Sequence, residues 1–198
     1  MKHNLKITLI LLFIFLAAQF IGIAVLYNYI DLTESKKAGK TIFQELPIGE
    51  RPPLDEKTSY IPVIFAVLIG TGILFLLIKY KVYFLWKLWF LIAVILALLI
   101  SWAAFIKPAY ALFLALAFGL WKIFRPNVLV HNFTEIFIYG GLAAIFVPLF
   151  TLLSVSILLI VISIYDMYAV WKSKHMIVLA KSQAKANVFA GLLIPYSL

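Results

Sequence analysis

The chain has 198 residues, of which 65% are hydrophobic and 13% charged, with a mean hydropathy of +1.09. These values exclude a soluble globular domain and a disordered one, and point to an integral membrane protein surrounded by a lipid bilayer. The net charge of +9 does not indicate nucleic acid, because the basic residues lie between apolar runs, and with no cysteine there is no disulfide framework, thiolate metal site or cysteine nucleophile.

A membrane-spanning helix needs roughly 17 to 25 mostly apolar residues. Six stretches qualify, which predicts an all-α membrane protein built as a bundle of about six transmembrane helices. The first runs from about Ile7 to Ile30 behind the basic start MKHNLK. A signal peptide has an apolar core of about 7 to 15 residues, so this longer run reads as a retained helix within a segment 1–30. Residues 31–59 hold six of the eight acidic residues and the two prolines of RPP, and read as an extracytoplasmic connector.

Residues 60–171 carry the other five spans: Tyr60 to Ile78, Leu85 to Ile106, Pro108 to Phe124, Val128 to Phe150 and Thr151 to Val170. The fourth span is short and contains Lys122. Pro148 marks a tight turn between the fifth and sixth, because proline lacks the N–H that a continuing helix needs. Tyr80, Tyr83, Trp86, Trp121 and Trp171 fall at span ends, where amphipathic rings anchor at headgroups. The small pairs GTG at 70–72 and GG at 140–141 read as places of close helix approach, since no phosphate-binding motif accompanies them. The tail, 172–198, is basic and then apolar.

An inside amino terminus leaves eleven of the 17 basic residues cytoplasmic, including Lys2, Lys79, Lys81, Lys87, Lys172 and Lys174. Five of the six outer ones lie in the long 31–59 loop, where they count for little in setting orientation.

Two acids lie inside the apolar spans, Glu135 and Asp166. A carboxylate at a membrane-helix centre costs on the order of 2.5 to 3.5 kcal/mol, and such residues usually face a bundle interior or a water cavity. Asp166 lies six residues before Lys172, roughly 9 Å deep, and helical spacing puts Ser163 and Ser156 near its face. Composition leaves two readings open for it, a reactive group in a wet site or a hydrogen bond to a neighbouring helix.

The stretch ISIYDMYAVWKSKH, with Tyr165 and Asp166 at the inner end of the sixth span, resembles the presenilin and signal peptide peptidase family of intramembrane aspartyl proteases, most of all its archaeal members. The similarity runs almost continuously from HNFTEIFIYGGLAAIFVP to VFAGLLIPY, residues 131–196, and six spans fit the amino-terminal part of that family's nine-helix fold. The resemblance implies an aspartic endopeptidase without cofactor that cuts transmembrane segments of membrane proteins, with Asp166 as one catalytic carboxylate and Tyr165 and Ser163 as its neighbours.

The family's second aspartate belongs to a Gly-x-Gly-Asp motif in a seventh helix, and its Pro-Ala-Leu motif to a ninth. Neither motif occurs in these 198 residues. Aspartyl proteolysis needs two carboxylates sharing a proton, one activating water and one donating to the carbonyl oxygen. The expectation is therefore an incomplete or split form, inactive alone: either a truncated chain, or a fragment that works with a separate carboxyl-terminal fragment carrying the second aspartate.

Glu135 is the other candidate second acid, at roughly 10 Å depth on the preceding span. Its structural alternative is a bond to a neighbour or a pair with a basic residue such as Arg125. His131 and Glu135 are spaced i, i+4, yet His-Glu-x-x-His is absent and no metal site is expected. Asn132 begins a glycosylation sequon placed at the inner membrane boundary. No serine sits in a nucleophile motif. Two non-proteolytic alternatives remain, a proton or ion relay through Asp166 and Glu135 and a helical scaffold subunit.

Overall fold

The computed structural model describes residues 5–172, 174–186 and 188–194. Lys2 of the orientation argument and the tail beyond residue 194 lie outside them. The described residues form eight α-helices: α1 (Leu5–Asn28), α2 (Leu32–Ala38), α3 (Tyr60–Lys79), α4 (Tyr83–Ala103), α5 (Pro108–Phe124), α6 (Val128–Phe146), α7 (Leu152–Trp171) and α8 (His175–Ala186). A 3-10 turn, Val147–Leu149, holds Pro148 and ends α6 as expected. Five helices are long and apolar enough to cross a membrane, counting α6 with its 3-10 turn, and α5 is a shorter apolar helix of 17 residues. The chain is therefore a multi-pass integral membrane protein.

The chain divides into two compact units, the first comprising 1–51, 91–145 and 190–198, and the second 52–90 and 146–189. In the first, Val25, Tyr29, Leu46, Ile100 and Ala144 form a buried core. Glycines let its backbones meet. A Cβ on Gly140 would lie 3.1 Å from Val25 Cγ2 and 3.2 Å from Ser101 Oγ, and one on Gly141 would run into the carbonyl of Ala97. Gly119 stands equally close to Ile95, 2.8 Å from a would-be Cβ to Cγ1. The GG pair thus serves the close approach its sequence suggests.

The segment after α1 is mostly exposed and carries local structure of its own. Asp31 caps α2 by accepting from the Thr33 and Glu34 N–H groups at 3.0 Å, and Gly39, at φ +66°, ends that helix in a left-handed conformation. Tyr29 donates its hydroxyl to Ile100 O at 2.8 Å, while Arg51 donates to Gln44 O and Ala144 O and lies over the rings of Tyr29 and Phe43. Burial pushes the Tyr29 phenol up to about 12, with the Arg51 charge opposing that rise, and lowers Arg51 from its usual value.

In the second unit Trp86 and Val188 are buried among Leu74, Leu77, Ile78, Tyr83 and Phe90. A reciprocal cap starts α7: Thr151 Oγ1 accepts from the Ser154 N–H at 3.2 Å, and Ser154 Oγ accepts from the Thr151 N–H at 2.8 Å. Helix α3 packs on α7 yet buries none of its residues. Among the described residues nothing lies within 4 Å of a Cβ placed on Gly70 or Gly72, so the close approach expected at GTG is not made there.

Candidate active site

Helix α7 carries Tyr165 and Asp166, both half-buried, in its penultimate turn. The polar stripe of Ser156, Ser163 and Asp166 suggests a wet or hydrogen-bonded interior face, and among the described residues the two serines do not bond another helix. Ser156 and Ser163 are exposed, and their hydroxyls donate to the carbonyls of Leu152 at 2.7 Å and Leu159 at 2.8 Å. A serine in an apolar helix satisfies itself by bonding one turn back, and here that leaves neither hydroxyl needing a partner helix. Ser163 accordingly flanks Asp166 in sequence without a direct bond to it among the described residues.

Glu135 belongs to the first unit, and Asp166 to the second. The Glu135 side chain is 2% exposed and pairs with Lys122, whose Nζ stands 2.7 Å from Oε1 and is itself 2% exposed. The partner is thus Lys122 of α5, not Arg125. Lys122 also donates to Thr134 Oγ1 at 3.2 Å and His131 O at 3.4 Å, so the ammonium is surrounded by acceptors. In apolar surroundings such saturation is what makes a buried charge tolerable.

In the sequence Lys122 only weakens the case for the short fourth span. The signal missed was its position: a lysine in the last turn of one helix and a glutamate in the first half of the next, thirteen residues on across a three-residue turn, can meet side by side.

His131 and Asn132, on the first turns of α6, bind the segment that follows α8. His131 Nε2 is 2.7 Å from Gly191 O, and Nδ1 is 3.2 Å from Lys122 Nζ. A carbonyl only accepts and an ammonium only donates, so the ring is neutral with its proton on Nε2. Asn132 makes a reciprocal pair with one residue, donating from Nδ2 to Leu193 O at 2.7 Å and accepting the Leu193 N–H on Oδ1 at 2.8 Å. Both ring nitrogens of His131 are engaged in this way, and the i, i+4 relation to Glu135 brings Nε2 only to 3.9 Å of Oε1.

An apolar recess of about 370 Å³ lies on the first unit, lined by Trp102, Phe105, Phe118, Phe133 and Phe137 among others. With no titratable group in its lining it has no acid–base chemistry to offer.

Residues 42–198 match the family described as signal-peptide peptidase, presenilin aspartyl protease. No curated protein and no solved structure matches the chain. The match spans most of the sequence, including all of α3 to α8 and both Tyr165 and Asp166, and leaves α1 outside it. This chain belongs to the signal-peptide peptidase and presenilin family of aspartyl proteases.

Proposed function

We propose that the chain supplies one half of the catalytic dyad of an intramembrane aspartyl endopeptidase, with Asp166 as that carboxylate and Tyr165 beside it. The observation that carries this is the contrast between the two intramembrane acids. Glu135 is locked to Lys122 in a buried pair, whereas Asp166 is half-buried and makes no ion pair among the described residues. A carboxylate held by an ammonium at 2.7 Å is poorly suited to trade protons with water, so Glu135 is a structural acid. The same pairing weighs against a relay through Glu135.

The second carboxylate is supplied by a further segment bearing Gly-x-Gly-Asp, either continuous with this chain or a separate carboxyl-terminal fragment. By itself the 198-residue chain is inactive, because a lone aspartate cannot be base and acid in one step. The distribution of lysine and arginine supports an inside amino terminus, an extracytoplasmic 31–59 loop and a cytoplasmic 172–198 tail. Substrates are then single-span proteins with outside amino termini.

Cleavage of a membrane-spanning reporter peptide in liposomes tests the reading. The expected result is cleavage by the chain together with the Gly-x-Gly-Asp segment, abolished by Asp166→Ala. Cleavage by the 198-residue chain alone that required both Asp166 and Glu135 would overturn it, as would an external amino terminus for the orientation.

A further inference from the structure

The hydrogen bonds by which His131 and Asn132 hold the segment after α8 share a property that side-chain packing does not have: they run to its main-chain atoms. Gly191 O and the N–H and C=O of Leu193 belong to residues two apart in the short non-helical segment after α8. Main-chain groups outside helices and sheets take their hydrogen bonds from elsewhere. Two neighbouring side chains of α6 supply them here. Gly191 has φ +151°, a conformation that a side chain would strain.

The ion pair takes part in this arrangement. Lys122 donates to His131 Nδ1 and so holds the proton on Nε2, where it faces the Gly191 carbonyl. The buried Lys122–Glu135 pair therefore sets the tautomer that grips the Gly191 carbonyl, an action through a neighbour of the kind that fixes ring orientation in many histidine sites.

We propose that His131 and Asn132 are positioning residues that read the backbone of Gly191–Leu193 and fix the course of the chain beyond α8. Resting on the protease reading above, the clamp sets where the segment carrying the second carboxylate enters. It recognises main chain, so the identity of the side chain at 193 is immaterial and the N–H at 193 is essential.

The test has two readouts on the full chain in lipid vesicles. Hydrogen exchange at the Leu193 amide is slow in the unsubstituted chain and in Leu193→Ala, and becomes fast in Asn132→Leu; equal exchange in the unsubstituted chain and Asn132→Leu overturns the clamp. In the reporter mixture with the Gly-x-Gly-Asp segment, Asn132→Leu and Leu193→Pro lower kcat roughly ten- to a hundredfold with KM little changed, as misplacement of reacting groups does. The pair N132C/L193C, in a chain with no other cysteine, regains the rate on oxidation and loses it on reduction. An Asn132→Leu rate equal to the unsubstituted one, or a rate indifferent to the redox state of N132C/L193C, overturns the positioning role. Silence of the unsubstituted mixture sinks the protease reading and the positioning role with it, while the clamp is still decided by the Leu193 amide.

Discussion

Lys122 Nζ lies 2.7 Å from Glu135 Oε1 between two apolar helices, with 2% of either side chain exposed. Removing one partner strands the other. Lys122→Met or Glu135→Gln should each destabilise the chain by about 3 to 5 kcal/mol, while the double substitution to apolar residues of similar volume should be near neutral or stabilising. Unfolding in mixed detergent micelles, read as a double-mutant cycle, checks this; additive single effects would contradict the pairing.

Gly141 and Gly72 are both glycines of apolar helices, with opposite expectations. A Cβ at 141 meets the Ala97 carbonyl, so Gly141→Ala should cost about 1 to 3 kcal/mol through backbone displacement. At 72 nothing lies within 4 Å, so Gly72→Ala should leave stability unchanged or raise it by up to about 1 kcal/mol from helix propensity. The same unfolding measurement separates the two.

Tyr29 ties the loop after α1 to Ile100, and its phenol is pushed from 10.0 to about 12 by burial. The folded form thus keeps the proton that the unfolded chain gives up. Its contribution to stability is complete below pH 10 and is lost as pH climbs from 10 towards 12. Unfolding measured across that window should show a fall that Tyr29→Phe flattens.

Asp166→Asn should abolish reporter cleavage while moving stability by no more than about 0.5 kcal/mol, since the half-buried carboxylate makes no ion pair among the described residues. A large loss of stability with retained cleavage would instead mark Asp166 as a structural residue.

The spans were legible because apolar length is a one-dimensional signal. The stretch Pro108 to Phe124 is bounded by a proline that fits the first helical turn and by Arg125 at its end, and α5 occupies those residues. Pro148 likewise fixed the end of α6. The Lys122–Glu135 pair was not legible, because which faces of two helices meet depends on packing that spacing within either helix leaves open. GTG and GG look alike as letters, and what distinguishes them is the crowding of GG by Val25 and Ser101 at Gly140 and by the backbone of Ala97 at Gly141. The helix α8 lay hidden in a mixed basic and apolar tail, and the partnership of Asn132 with Leu193 spans sixty-one residues, beyond the reach of local pattern.

The seventeen residues of α5 reach about 25 Å at 1.5 Å per residue, short of a hydrocarbon layer about 30 Å thick. A helix tilts to accommodate excess length; a deficit is met by thinning of the bilayer, by flanking side chains that snorkel to the interface, or by association. Were α5 to cross the bilayer, the leaflets would thin around it and headgroups would be drawn towards the end that bears Lys122 and Arg125. A spanning α5 would make the protein sensitive to acyl-chain length: bilayers of shorter lipids would fit it with less deformation, and thick, sterol-rich ones would strain the very helix that holds the buried pair.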